Sequence, residues 1–123
     1  MASSVKKTLV HVIDDDEAVR DSIDAYLTLK GMVVETFGSA HEFLVHAGAS
    51  PDIFILDVNM PDIDGFMLLQ VLREKGELAP AIFITGLGDP SMRLRAGRAG
   101  VAAFLDKPLN PPDLLETLWR LLA

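Results

Sequence analysis

Four acids, Asp14, Asp15, Asp16 and Glu17, stand directly after the apolar run "TLVHVI". Asp57 ends the run "DIFILD", Thr85 ends "PAIFIT", and Lys107 follows "VAAFLD". Taken singly, each has an ordinary explanation. Asp16 and Glu17 suit a helix start, where negative charge meets the positive end of the backbone dipole. A lone aspartate after a strand is commonly a turn residue, and a threonine there commonly bonds loop backbone. A lysine is commonly a solvated charge. Asp14 and Asp15 resist that treatment, because they fall before the helix begins. If Asp57 lies beside them, three carboxylates converge and repel unless a hard cation joins them. Magnesium takes oxygen ligands and keeps several waters, so two or three carboxylates suit it. An ammonium and a hydroxyl opposite would complete the surroundings that a phosphoryl group needs during transfer, where catalysis is mostly positioning and charge neutralisation. A carboxylate can be the acceptor. Asp57 is the candidate, being central, with Asp14 and Asp15 on the metal.

The elements that must position these groups follow from the pattern. Apolar, β-branched runs predict buried strands at 8–13, 33–37, 52–57, 80–85 and 101–106. Helical spacing predicts helices at 17–30, from Ser39 to about Ala47, from Asp64 to Lys75, from Ser91 to Ala99, and from Asn110 onward. Ser39 and Glu42 form a capping-box pair, and Gly31, Gly48, Gly76 and Gly100 stand as helix stops. Asp62, Asp64 and Gly65 read as turn and helix-start residues. Alternating strands and helices require a parallel sheet covered on both faces, an α/β fold. In such sheets ligands gather beyond the carboxyl ends of the strands, which is where every group above falls.

Composition bounds the rest. A chain of 123 residues is one domain, with 1–7 expected to be a polar tail and 8–123 the domain. A net charge of −7 argues against direct nucleic-acid binding. No apolar run approaches membrane-spanning length, and cysteine is absent, which fits a cytoplasmic setting.

The set "IDDDE", "FILDVNMPDIDG", "IFITGLGD" and "FLDKPL" resembles the receiver domain of bacterial two-component response regulators, the CheY-like family, nearest the FixJ/NarL-type transcription regulators. The resemblance spans about residues 8 to 122. It implies a flavodoxin-like (βα)5 fold with strand order 2-1-3-4-5. It implies that Asp57 accepts phosphate from a sensor histidine kinase, with Mg²⁺ or Mn²⁺ as cofactor. Asp15 would bind the metal directly, Asp14 mainly through water, and Asn59 through its backbone carbonyl. Thr85 and Lys107 would hold phosphoryl oxygens. Pro108 would follow a cis peptide. Phe104 would be the aromatic that turns inward when Thr85 moves. Leu87, apolar where many relatives carry a polar group, could screen the phosphoryl from water or simply pack the loop. The face spanning 91–122 would then change, controlling a homodimer or a C-terminal DNA-binding output domain. Such a protein is a switch and not a turnover enzyme.

Two other readings fit part of this set. A haloacid-dehalogenase-like phosphatase also uses a strand-end aspartate, but it wants a second aspartate where Asn59 stands. A receiver fold that signals by binding alone would not need Asp14, Asp15, Asp57, Thr85 and Lys107 together. Arg93, Arg95 and Arg98 lie on the expected output helix and could dock an acidic partner, or be a solvated basic face. His11 is expected to be a satisfied core or edge residue, and His41 and His46 to lie at the surface. Trp119 is the natural fluorescence reporter.

Overall fold

The strands and helices alternate along the chain in a computed structural model that describes residues 6–86 and 88–123. They are β1 (Leu9–Ile13), α1 (Glu17–Leu29), β2 (Val33–Phe37), α2 (Ala40–His46), β3 (Ile53–Asp57), α3 (Gly65–Glu74), β4 (Ala81–Thr85), α4 (Pro90–Ala99), β5 (Ala103–Asp106) and α5 (Pro111–Leu122). All pairings are parallel, in the order β2-β1-β3-β4-β5, as the sequence pattern and the resemblance imply. Of the expected tail, residues 1–5 lie outside the described residues, while Lys6 and Lys7 are exposed and belong to no element.

Side-chain alternation along the strands divides the core into two layers. Val10, Val12, Ile53, Ile55, Ile82 and Ile84 face α1 and α5, where Ile23, Leu27, Leu114, Leu115 and Leu118 meet them. Ile13, Phe54, Leu56, Ala81 and Phe83 face α2, α3 and α4, meeting Phe43, Leu68, Leu69, Leu72 and Ala96. Central β3 and β4 are buried throughout, whereas the edge strand β2 is covered only in part. Each buried Leu or Ile contributes roughly 1.5–3 kcal/mol. That layered core lets the rim carry like charges that do not stabilise the fold themselves.

The caps follow sequence chemistry. Asp16 accepts from the N–H groups of Ala18 and Val19, Asp64 from Met67, Asp89 from Met92 and Asn110 from Asp113. Ser39 accepts from Glu42 N–H at 3.0 Å, and Glu42 reaches back to Gly38 N–H at 2.9 Å. Gly31, Gly76 and Gly100 take positive φ at helix ends. Gly48 does not. Helix α2 stops at His46, and Ala47 already has extended backbone, so no left-handed residue is needed there.

Candidate functional site

The carboxyl ends of β1, β3, β4 and β5 bring Asp14, Asp57, Thr85 and Lys107 to one rim. Asp14 follows β1 and is fully buried. Its backbone is tied from two sides: its N–H donates to the Phe37 carbonyl at 3.1 Å, and its own carbonyl accepts from Arg20 Nη1 at 2.7 Å. Its Oδ1 accepts from Asp16 N–H at 2.9 Å. Its buried Oδ2 lies outside hydrogen-bond geometry and faces the Lys107 ammonium at 2.9 Å.

Asp57 ends β3 and is also buried. One oxygen takes a long contact from Asn59 N–H at 3.4 Å, and the other lies 3.6 Å from Lys107 Nζ. Carboxylate oxygens of Asp14, Asp15 and Asp57 lie within 4.8 Å of one another, with Asp15 on the exposed side. Burial, followed by the Asp14 charge, pushes the Asp57 carboxyl from 3.8 up to about 7. The hydrogen bond with Asp15 pushes the same way, while Lys107 and the Asn59 N–H only partly oppose them. Burial would lower Lys107, but the hydrogen-bonding and charge of Asp14, and then the charges of Asp57 and Asp16, outweigh it and raise it. Lys107 therefore stays an ammonium across the physiological range.

The donor set fits a hard divalent cation. It offers oxygen ligands only, in three clustered acids, one of them with a buried Oδ2 that faces the Lys107 ammonium.

Thr85 is fully buried at the end of β4. Its hydroxyl accepts from the Asn59 side-chain amide at 3.1 Å. The resemblance concerned only the Asn59 backbone carbonyl, so this side-chain bridge between the β3 and β4 ends is new information. Lys107 N–H donates to the Thr85 carbonyl at 2.8 Å, and the Lys107–Pro108 peptide is cis. Phe104 is half-buried on β5, in the layer that faces α4. Gly88 fits beside it because a Cβ there would stand 3.1 Å from both Phe104 Cε1 and Thr85 Cγ2. Leu87 lies outside the described residues.

Other sequence readings resolve as follows. Asp64 and Gly65 begin α3 as expected. Gly65 also lets the helix approach the end of β3, with its N–H on the Val58 carbonyl at 2.8 Å. Asp62 instead accepts from His41 N–H at 2.8 Å, tying the β3–α3 loop to the start of α2. Burial would raise its carboxyl, but backbone N–H groups of His41, Ile63, Asp62 and Ala40 together lower it. His41 and His46 are exposed. His11 is buried, but only its Nε2 has a partner, so it is not the fully satisfied residue expected. Arg93 pairs with Asp106 and lies 4.7 Å over the Phe104 ring. Arg95 lies 3.9 Å over the Phe66 ring, so neither arginine is simply a solvated charge.

The comparisons agree with this architecture. Residues 10–119 match the family described as the response regulator receiver domain. The chain is similar to the response regulator protein TodT of Pseudomonas putida, at 37% identity over 94% of this chain and 51% of that protein. It is similar to the transcriptional regulatory protein FixJ of Rhizobium meliloti, at 37% identity over 90% of this chain and 55% of that protein. It thus spans about half the length of these relatives. Among solved structures, chemotaxis protein CheY4 of Vibrio cholerae superposes with a TM-score of 0.88 at 32% identity, covering 95% of this chain and 100% of that one. FixJ-N superposes with a TM-score of 0.81 at 34% identity, covering 96% of this chain and 95% of that one. A match across most of the chain, on a fold shared with solved receiver domains, places this protein in the response regulator receiver domain family, the signalling modules of two-component systems.

Proposed function

We propose that this chain is a divalent-metal-dependent phosphoacceptor switch, phosphorylated on Asp57. The observation that carries the reading is Lys107, whose ammonium stands 2.9 Å from Asp14 and 3.6 Å from Asp57 inside a cluster of three acids. In the proposed step, an Asp57 carboxylate oxygen attacks the phosphorus of a phosphohistidine on a sensor histidine kinase. The O–P bond forms as the P–N bond breaks, and the electron pair returns to the departing imidazole. Lys107 then pairs with one phosphoryl oxygen, and the Thr85 hydroxyl donates to another. Asp14, Asp15, Asp57 and the Asn59 backbone carbonyl would hold Mg²⁺ or Mn²⁺. When bound, that cation would neutralise charge building on the transferring phosphoryl group.

The added charge, about −1.5 to −2, draws Thr85 and Lys107 toward the acceptor. Phe104, whose ring lies under Arg93, moves with them, and the 91–122 face changes. That face serves a homodimer or a DNA-binding output domain in a cytoplasmic regulator. Support for an output domain is the relatives' length, about twice that of this chain.

The test is incubation with acetyl phosphate and Mg²⁺, read by intact mass. One added phosphoryl group is expected, absent when the metal is chelated beforehand and absent from Asp57→Asn. An Asp57→Asn protein that gains the same mass would sink the assignment. Mass is a better readout than tryptophan emission. Trp119 is exposed near Lys6, Lys30 and Met32, at the opposite end of the sheet.

A further inference from the structure

Along the seam between α3 and α4 runs an open groove of about 420 Å³, with Phe66, Gln70 and Arg73 on one wall and Arg95 and Arg98 on the other. Its lining holds three cations and no acid, in a chain whose net charge is −7. Among the described residues, none of the three guanidiniums has a carboxylate within ion-pair distance.

The negative ends of the helices account for two of these cations. Arg73 and Arg98 fall in the last turns of α3 and α4, where positive charge meets the backbone dipole. Arg95 stands in the middle of α4, where the dipole offers nothing. Its guanidinium lies 3.9 Å over the Phe66 ring, and none of its N–H donors has a hydrogen-bond partner among the described residues. Arg73 is also fixed, because its Nη1 donates to the carbonyls of Glu77 and Ala79 at 2.8 Å each. Cations held in place before a ligand arrives lose little freedom on binding it.

Arginine forks suit carboxylates and phosphates alike, and the flanks decide between them. Met67 and Leu94, next in sequence to Phe66 and Arg95, are 53% and 59% exposed. They offer apolar contact that a phosphate chain would leave unused. A nucleic acid would also bring its charges against a chain of net charge −7. A helix that carries carboxylates beside apolar anchors uses both features. The two ten-residue helices are each about 15 Å long, enough to seat about three turns of it.

We propose that the α3–α4 groove docks an acidic amphipathic helix of a partner protein, with its carboxylates on Arg95 and Arg98 and its apolar side on Phe66, Met67 and Leu94. Arg93 faces β5 from the other edge of α4, so the site does not depend on the phosphorylation reading.

The probe is a capped helical peptide with leucines at helical spacing and glutamates beside them. It is titrated into the ¹⁵N-labelled full chain and followed by amide and arginine Nε NMR. Saturable shifts at Gln70, Arg73, Arg95, Arg98 and Ala99 are expected. Arg98→Glu should weaken binding about tenfold, as should glutamine in place of the peptide's glutamates. Arg120→Glu makes the same change of net charge on α5 and should weaken it less than about twofold. Both arginines are exposed, so neither change disturbs the core. Equal losses from the two variants would overturn the proposal, because the attraction would then be to overall charge. So would a glutamine peptide that binds as tightly, or single-stranded DNA that displaces the peptide from the same residues. Shifts in the groove that grow with protein concentration alone would make a second copy the occupant and overturn it too, as would the absence of saturable shifts at millimolar peptide.

Discussion

The side-chain amide of Asn59 donates to the Thr85 hydroxyl at 3.1 Å, joining the two loops that a phosphoryl group on Asp57 would have to engage. The residues are 26 apart in sequence, and their strands are adjacent. Asn59→Ala should destabilise the domain by about 0.5–1.5 kcal/mol, the net worth of a typical hydrogen bond. Thr85→Val removes more than this one bond, so the single variants do not isolate it. A double-mutant cycle does, and a coupling of about 0.5–1 kcal/mol in urea unfolding is expected. Strict additivity would show that the two side chains do not share a bond in solution.

That contact marks where sequence reasoning stops. Apolar runs placed all the strands within about two residues, because buried strands leave a dense signature. The strand ends then carried Asp14, Asp57, Thr85 and Lys107 to one rim, since a parallel sheet gathers its carboxyl ends. The direction of a long side chain has no such signature. Arg20 reaching the Asp14 carbonyl, Arg93 reaching Asp106, and Asn59 turning toward Thr85 all depend on rotamers set by tertiary neighbours. Gly48 misled for a related reason. A glycine after a helix pattern commonly marks a left-handed stop, but the chain had already turned at Ala47.

Lys107 opposes two buried acids, so its removal should leave their charges uncompensated. Loss of one partner of a buried pair is strongly destabilising, by about 3–5 kcal/mol when burial is complete. The lysine side chain is 20% exposed and water reaches the rim, so Lys107→Met should lose about 2–3 kcal/mol in metal-free buffer. Millimolar Mg²⁺ should restore part of that loss, because a cation held by the acid cluster would bind only the folded state. Chemical unfolding with and without the metal measures both. A variant as stable as the parent without Mg²⁺ would mean that the Lys107 ammonium does not compensate the buried acids.

The Asp57 carboxyl predicts a pH dependence of a particular sign. Its folded value is about 7, against 3.8 for the free side chain. Between those values the folded state holds a proton that the unfolded chain has released, so raising the pH through this window removes stability. Asp57→Asn has no such proton to lose. In metal-free buffer the variant should match the parent near pH 4 and exceed it increasingly toward pH 7. The gap should level off at about 1–2 kcal/mol, a figure discounted for screening at the rim. Mg²⁺ should narrow the gap. A gap that instead widened on acidification would mean that the carboxyl is held below its usual range.

Gly65 stands where α3 meets the end of β3, beside Asp57. A Cβ there would lie 2.8 Å from the Asp57 carbonyl oxygen and 3.0 Å from Val58 Cα, both of them backbone atoms that cannot rotate away. Gly65→Ala should therefore shift Asp57 and destabilise the domain by about 1–3 kcal/mol, in the range of other overpacking changes. Gly97, inside α4, is the control, because a Cβ there meets nothing within 4 Å. Gly97→Ala should stabilise by about 0.5–1 kcal/mol through helix propensity alone. Thermal unfolding of the two variants should move in opposite directions.

Arg93 links α4 to β5 through Asp106 and the face of Phe104. Both charged side chains are about half exposed, so the ion pair contributes under about 1 kcal/mol and fades as salt screens it. Its consequence is local. With only Ala96 of α4 fully buried, this helix has little apolar packing to hold it, and the two arginine–aromatic contacts make up part of the difference. Arg93→Gln removes the charge and the guanidinium plane from a shorter polar side chain, and should leave global unfolding within about 0.5 kcal/mol of the parent. Amide exchange in α4 should quicken severalfold, and the parent should approach the variant's rate in high salt. The β1 and β3 amides should not change. Equal quickening across the whole sheet would show that Arg93 supports the domain at large, and an α4 unaffected by either change would show that the apolar contact of Ala96 is sufficient.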